Sequence, residues 1–113
     1  MIARIWRGFT TEGKGDEYYE FLQRTGLKDY RATPGNLGVT VLRRRRDGKA
    51  EFILISYWDS LDSIRKFAGS DVEKAYYYPE DKDYLLEFEP KVAHYDVLEG
   101  ESEFENLMSQ ISL

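Results

Sequence analysis

Residues 38–58, GVTVLRRRRDGKAEFILISYW, constrain the fold of this chain more than any other stretch. Two runs rich in β-branched and aromatic residues flank the dipeptide Asp47-Gly48. Asp-Gly favours a two-residue type I′ turn, because both central residues of that turn need a positive φ angle. The sequence therefore predicts a β-hairpin with strands near residues 37–46 and 49–58.

The second strand of this hairpin has apolar side chains on both faces. Successive side chains of a strand point to opposite faces. One face carries Phe52, Leu54, Ser56 and Trp58, and the other carries Ile53, Ile55 and Tyr57. Helices on one side of a sheet cover only one of these faces. A second copy of the chain can cover the other face, so we expect a homodimer.

Two further strands bracket the hairpin in the sequence. Residues 2–9, IARIWRGF, and residues 91–98, KVAHYDVL, alternate as a first and a last strand do. Residues 15–30 carry apolar side chains at helical spacing between the first strand and the hairpin. Residues 59–67, DSLDSIRKF, predict a second helix with Asp59 or Ser60 as its N-cap.

The resulting order, β-α-β-β-α-β, predicts an α+β, ferredoxin-like fold with a four-stranded antiparallel sheet. A capping box at Ser70-Asp71-Val72-Glu73 predicts a further short helix that ends near Pro79. Beyond the last strand, residues 99–113 form a C-terminal tail. Apolar side chains at i, i+3, i+4 and i+7 in this tail predict an amphipathic helix, and the alternative is a frayed acidic end.

Length and composition limit the classes of protein that fit this chain. Its 113 residues correspond to one domain. The absence of cysteine excludes a disulfide scaffold, a thiolate nucleophile and a cysteine-ligated metal. Without a long apolar run or a signal-peptide pattern, we expect a soluble, cytoplasmic protein with no membrane partner. The net charge of −5 argues against nucleic acid as a partner.

Two features nevertheless point towards nucleic acid. The run Arg43-Arg44-Arg45-Arg46 resembles a phosphate-binding patch, but on a strand it splits into two pairs on opposite faces, which favours a solvated hairpin end. The RNA-recognition motif shares the predicted element order, yet its third strand needs stacking aromatic residues, and Glu51 occupies such a position here. We therefore expect no nucleic-acid partner.

Three stretches carry a resemblance to a known family: MIARIWRG, YWDSLDSIRKFAGSDVEKAYYYPEDKDYLLEFEP and HYDV. Together they resemble the antibiotic biosynthesis monooxygenase (ABM) family of dimeric α+β barrels, over residues 1–98. The resemblance implies two sheets packed back to back in a dimer. It also implies a pocket between the sheet and the helices of each subunit. The predicted domains are residues 1–98 and the tail, residues 99–113.

Enzymes of this family are of two kinds, and the resemblance distinguishes them by three positions. In the haem-degrading kind, a first-strand Asn, a helix Trp and a His after the SDV motif build the site. The matching positions here carry Trp6, Phe67 and Tyr77. Because none of the three is kept, the resemblance favours the other kind, which oxygenates quinol-like aromatic substrates without a cofactor, and haem degradation is the less favoured alternative.

A cofactor-independent oxygenase needs an aromatic slot, a base and donors for a developing oxyanion. Arg4 or Arg7 is the candidate anion partner. The candidate substrate-binding side chains are Trp6, Arg4, Phe67, Tyr76 and Tyr84, and Tyr77 is a candidate catalytic hydroxyl. The alternative is that these aromatic side chains are ordinary packing in a non-enzymatic dimeric protein that binds a small apolar ligand.

His94 is the single histidine of the chain and has two interpretations. An imidazole that lines a pocket takes a phenolic proton near neutral pH, because its unperturbed pKa is about 6.5. Alternatively, a neighbouring carboxylate such as Asp96 holds the ring in a structural hydrogen bond. His94 and Asp96 alone are too few for a metal site, which normally needs three or four ligands. We therefore expect no metal.

Overall fold

The computed structural model describes residues 1–100, and they form the predicted ferredoxin-like α+β fold. Four antiparallel strands lie in the order β2-β3-β1-β4. Their bounds are β1 Ile2–Thr11, β2 Asn36–Arg46, β3 Lys49–Trp58 and β4 Ala93–Asp96. The predicted C-terminal helix lies almost wholly outside the described residues, so it and the division at residue 98 stay predictions.

The hairpin of β2 and β3 is confirmed, with Arg46 opposite Lys49. Asp47 and Gly48 both have positive φ angles, 55° and 74°, as the type I′ turn requires. The arginine run splits between the faces as predicted. Arg43 pairs with Asp16 at 2.7 Å on one side, and Arg44 pairs with Glu51 at 2.7 Å on the other.

The two faces of the sheet differ in what covers them. Phe52, Leu54 and Trp58 are buried under the helices, as the alternation of β3 predicts. Ile53, Ile55 and Tyr57 are half-buried on the opposite face, and no element of residues 1–100 packs over them. An apolar open face therefore spans the centre of the sheet.

The segment between β1 and β2 contains a short 3₁₀ helix, Glu12–Lys14, and two α-helices where the spacing predicts one. α1 is Gly15–Arg24 and α2 is Gly26–Ala32. At Thr25 the backbone leaves the helical region, with φ −120° and ψ −94°, and the Thr25 hydroxyl donates to the Phe21 carbonyl at 2.8 Å. A hydroxyl that bonds the preceding turn in this way competes with the helix, so the break falls there.

The next helix, α3, is Leu61–Ala68, and its N-cap is Ser60. The Ser60 hydroxyl accepts a hydrogen bond from the Ser63 backbone N–H at 3.2 Å, which selects Ser60 over Asp59 as the cap. Within residues 1–100, none of the helices combines the length and apolar character that crossing a membrane requires.

The predicted helix after Ser70 is wrong. The backbone there pairs with the stretch before β4: Ala75 N–H donates to Pro90 at 3.0 Å, and Val92 N–H donates to Glu73 at 2.8 Å. Val72 and Glu73 form a turn, and Lys74 pairs with Lys91 as an isolated antiparallel bridge. A 3₁₀ helix follows at Pro79–Asp83, and Pro79 begins it because proline suits the first position of a helix.

Gly35, directly before β2, packs against Ser63 of α3, and its substitution tests this contact. Its φ angle is +93°, and a Cβ there would lie 2.0 Å from the Ser63 hydroxyl. We predict that Gly35→Ala lowers the free energy of unfolding by about 1–3 kcal/mol, measured by urea denaturation. Gly13→Ala is the control, because nothing lies within 4 Å of its Cβ position. Equal stability of the two variants would contradict the prediction.

Candidate functional site

A small cavity lies between the helix face of the sheet and the segment that follows α3. Its volume is about 30 Å³, which is room for about two water molecules. Much of its wall is aromatic, from Trp6 on β1, Tyr18 and Tyr30 on α1 and α2, and Tyr76–Tyr78 after α3. Because a cavity that binds benzene measures about 150 Å³, a ring enters only if a wall side chain moves.

Trp6 and Tyr77 form one corner of the cavity. The Trp6 indole N–H donates to the Tyr77 hydroxyl at 3.1 Å, and that hydroxyl donates to the Glu89 carbonyl at 2.6 Å. Burial raises the pKa of Tyr77, so its hydroxyl stays protonated. Gly8 makes room for the indole, because a Cβ at Gly8 would lie 2.2 Å from the Trp6 ring.

Arg4 brings a buried positive charge to the cavity wall. Only 1% of the residue is exposed. Its Nη1 donates to the Val72 carbonyl, and its Nη2 donates to the Lys74 carbonyl at 3.1 Å. No carboxylate of residues 1–100 lies within ion-pair distance of it, and Nε has no hydrogen-bond partner there. Burial lowers the pKa of Arg4, which remains a cation because arginine titrates so high.

His94 lies beside Arg4 on the neighbouring strand, opposite it in the β1–β4 register. His94 Nε2 is 3.2 Å from Arg4 Nη1. Since a guanidinium has only donors, Nε2 is the acceptor, which requires a neutral imidazole with its proton on Nδ1. Burial and then the charge of Arg4 lower the pKa of His94, while Glu73 opposes this shift. His94 does not line the cavity.

Asp81 brings a buried carboxylate to the same cavity. Its Oδ2 accepts from the Tyr78 backbone N–H at 2.7 Å, and its Oδ1 accepts from the Tyr18 hydroxyl at 3.3 Å. Burial raises the pKa of Asp81, and these two hydrogen bonds partly offset the shift. A carboxylate with a raised pKa is a stronger base than an exposed one.

Phe67 and Tyr76 separate the cavity from a wider cleft outside it. Both side chains line the two spaces. The outer cleft measures about 320 Å³ and lies between α2 and α3, with Pro34 and Lys66 on its walls. Tyr76 is 51% exposed; its ring centroid lies 5.6 Å from that of Phe67 in a tilted contact and 5.1 Å from that of Tyr78 in an edgewise one. Tyr76 is therefore the more exposed of the two side chains that separate the cleft from the cavity.

The structure brings five of the seven predicted site residues together. Arg4, Trp6, Phe67, Tyr76 and Tyr77 all line the cavity. Tyr84 packs behind it, with ring centroids 5.2 Å from Phe21 and 5.5 Å from Tyr18. Of the two candidate anion partners, Arg4 lines the cavity, whereas Arg7 points to the open face and pairs with Glu51 at 3.1 Å. The roles assigned to these residues stay predictions.

Four titratable residues of the cavity wall were not predicted as site residues: Tyr18, Tyr30, Tyr78 and Asp81. Tyr18 belongs to the recognised apolar stripe of the first helix, where a tyrosine is indistinguishable from core packing. Asp81 lies in an acidic run that has no periodic signal. Among residues 1–100, no group of three or more His, Asp or Glu side chains converges to hold a metal ion.

Comparison with known proteins assigns the family. A model described as antibiotic biosynthesis monooxygenase matches residues 1–77, which is more than half of the chain. The chain belongs to the antibiotic biosynthesis monooxygenase family. The resemblance seen in the sequence is thereby confirmed. No protein of curated function matches this member of the family.

Solved structures share the fold of this ABM chain. SnoaB, a cofactor-independent oxygenase from Streptomyces nogalater, is 16% identical with a TM-score of 0.61, covering 89% of this chain and 96% of that one. MhuD, a heme-degrader from Mycobacterium tuberculosis, is 14% identical with a TM-score of 0.60, covering 90% and 100%. Rv0793 from the same organism is 17% identical with a TM-score of 0.58, covering 89% and 98%. Identities this low establish a common fold alone.

The hydrogen bond between Trp6 and Tyr77 gives a test of the cavity's geometry. We predict that Tyr77→Phe moves the Trp6 indole N–H signal in a proton–nitrogen NMR spectrum. The signal of Trp58, which donates to Ser56 at 2.9 Å, stays in place. Because a buried donor is left unpaired, the free energy of unfolding falls by about 1 kcal/mol. Tyr95→Phe, at an exposed position, is the matched control. An unmoved Trp6 signal would refute the contact.

The lowered pKa of His94 predicts a pH dependence of stability. In the unfolded chain the imidazole titrates near 6.5. As the pH falls below that value, the unfolded state binds a proton that the folded state does not. The stability that His94 contributes is therefore complete above about pH 6.5 and is lost as the pH falls through the folded pKa.

The measurement is the free energy of unfolding of the wild type and of His94→Gln, from about pH 7.5 down to about pH 5. We expect stability to decline less in the variant, since glutamine does not titrate. The chain has no other histidine, so the difference between the two curves isolates this residue. Parallel curves would show that the folded state does not suppress protonation of His94.

Proposed function

We propose that this ABM protein is a cofactor-independent monooxygenase of a small, electron-rich aromatic substrate. The observation that carries the proposal is an aromatic cavity with a buried carboxylate, Asp81, and a buried cation, Arg4, in its wall. Together they provide what this chemistry needs from a protein: a slot for a ring, a base, and a charge that stabilises an anion. Similarity to the fold of SnoaB supports the same conclusion.

The substrate ring occupies the space that opens when Tyr76 rotates towards the outer cleft. Trp6 and Phe67 then form the walls against which the ring packs, and aromatic rings prefer such offset or edgewise contacts. The cleft, at about 320 Å³, falls within the roughly 300–1,000 Å³ typical of small-molecule pockets. A bound ring also excludes water, which strengthens the electrostatic effect of Arg4.

The reaction needs no cofactor because the substrate supplies all the electrons. Asp81 accepts the proton of a phenolic hydroxyl, and Arg4 stabilises the resulting phenolate. The electron-rich ring carbon then reduces O₂ and forms a carbon–oxygen bond. Loss of water from this adduct gives the quinone, so one oxygen atom enters the product and the other leaves as water. His94, which accepts from Arg4, positions the guanidinium in this scheme.

The residues of this cavity do not fit a haem with an axial histidine. His94 lies outside the cavity, and its Nε2 is already bonded to Arg4. Tyr77, at the position that matches the family's ligand histidine, has its hydroxyl bonded to both Trp6 and Glu89. A tyrosine ligand would also give a different iron chemistry from that of imidazole. We therefore assign no cofactor to the reaction.

We further propose that the protein acts as a homodimer through its open sheet face. Ile5, Ile55 and Tyr57 lie at the centre of this face, and Ile5 stands opposite Ile55 in the β1–β3 register. Full burial of an exposed isoleucine contributes roughly 1.5–3 kcal/mol, and these half-buried side chains gain part of that in a dimer. A second copy presents the same apolar surface, so two sheets pack back to back.

An oxygen electrode tests the proposed activity. We expect O₂ uptake with anthrone-like or quinol compounds in the presence of a chelator and without any added cofactor. Replacing the base with Asp81→Asn should lower the rate on the order of 10²-fold or more. Asp83→Asn, an exposed position on the same 3₁₀ helix, should leave the rate unchanged. His94→Gln should cost much less than Asp81→Asn, because it keeps a hydrogen-bonding side chain beside Arg4.

Three outcomes would contradict this assignment or part of it. Full activity of Asp81→Asn would show that Asp81 is not the base. Tight binding of aromatic compounds without any O₂ uptake would instead favour a non-enzymatic ligand-binding protein. A haem titration, with catalase present, is run beside the assay, and loss of the Soret band under ascorbate and O₂ would favour haem degradation.

The homodimer is tested by sedimentation velocity. We predict that the wild type is a dimer at micromolar concentration and that Ile55→Asp is monomeric, because it places a charge at the centre of the apolar face. Leu61→Asp, at an exposed apolar position that begins α3, is the control and should remain dimeric. A wild type that is monomeric and fully folded would contradict the proposal.

A further inference from the structure

Arg4 has more hydrogen-bonding capacity than the protein uses. A guanidinium has five N–H donors. Val72 and His94 occupy Nη1, and Lys74 occupies one donor of Nη2. Tyr30 also lies close enough to hydrogen-bond the guanidinium, whereas the N–H of Nε has no partner within residues 1–100. Nε and Nη2 share one edge of the planar group, so a ligand oxygen that reaches Nε also lies beside Nη2.

Two parallel donors on one edge of a guanidinium match the two oxygens of a carboxylate. A single phenolate oxygen satisfies such a pair less well, and a neutral ring satisfies neither donor. The edge also belongs to a cation that is 1% exposed and has no counter-ion among the described residues. Burial of an unpaired charge costs folding free energy, so the site retains the charge at the expense of stability.

We propose that the ligand of this cavity is an aromatic carboxylate, whose carboxylate binds the Nε and Nη2 edge of Arg4. Its ring lies against Phe67, which already packs 5.8 Å from the Arg4 guanidinium. The rest of the ring system passes Tyr76 into the outer cleft. This inference uses the same cavity as the proposed monooxygenase activity, but it does not depend on any step of that chemistry.

An alternative role for Arg4 is purely structural. Its bonds to the Val72 and Lys74 carbonyls fasten the segment after α3 to the sheet. That role, however, uses only the Nη groups and leaves Nε without a partner. A structural clamp also binds an aromatic acid no better than the corresponding amide, so binding measurements separate the two roles.

The test is isothermal titration calorimetry with 2-naphthoate and 2-naphthamide. The two compounds share ring and shape, but only the first carries a charge. Neither has a hydroxyl group, so neither undergoes the proposed oxygenation. We expect the wild type to bind 2-naphthoate about tenfold or more tightly than 2-naphthamide, because hydrogen bonds to charged groups are the stronger ones.

Three variants complete the design. Arg4→Met should weaken 2-naphthoate binding on the order of 10²-fold and abolish the preference for it. Arg4→Lys keeps the charge but lacks the planar edge, so an intermediate loss of about tenfold is expected. Arg31→Met, at an exposed position on α2 beside Tyr30, should bind as the wild type does. If Arg4→Met fails to fold, the two ligands and Arg4→Lys still decide the question.

Equal affinity of the wild type for the two compounds, or binding of neither at millimolar concentration, would overturn the proposal. Either result leaves the monooxygenase activity standing if quinol compounds drive O₂ uptake. Conversely, a clear preference for 2-naphthoate without any O₂ uptake would retain the aromatic-acid site and remove the proposed reaction. The two claims therefore fail independently.

Discussion

The buried guanidinium of Arg4 is the interaction on which the rest of the site depends. It joins β1 to the segment after α3 through the Val72 and Lys74 carbonyls, and to β4 through His94. Three parts of the chain that are far apart in sequence therefore meet at one cation. Since carbonyl dipoles and a neutral imidazole stabilise a cation less than a carboxylate does, the arrangement leaves a demand for negative charge beside the cavity.

The aromatic side chains around the cavity make the site selective for an anion that carries an aromatic ring. Trp6 is held by Tyr77, and the space for its indole exists because Gly8 has no Cβ. Tyr18 meets Asp81 on the opposite side, so that a base and a cation share one small space. The fold positions these side chains. Arg4 and Trp6 lie two residues apart on the same face of β1, and α1 and α2 cover that face. Tyr76 is half-exposed, and in the proposed binding mode it is the side chain that rotates to admit the ligand.

Much of the frame was predictable from the sequence, because it follows from periodicity and turn chemistry. Asp47-Gly48 located the hairpin, and the alternation of β3 identified both of its faces. The helix predicted at Ser70 was wrong, because pairing of Glu73 and Ala75 with residues 90–92 outweighs a local capping signal. Asp81 was missed for a similar reason. Its burial and its bond to Tyr18 come from contacts across 63 residues, which no local pattern encodes.

The central claim is that the edge of Arg4 bearing Nε, whose N–H has no partner among the described residues, receives an anionic oxygen of an aromatic ligand. Nitrogen-15 NMR of the arginine side chains observes this directly, because each Nε–H gives its own signal. The account predicts that saturating 2-naphthoate shifts the Arg4 Nε–H signal and slows its exchange with water, while 2-naphthamide leaves it nearly unchanged. An Arg4 signal that does not respond to bound 2-naphthoate would contradict the account.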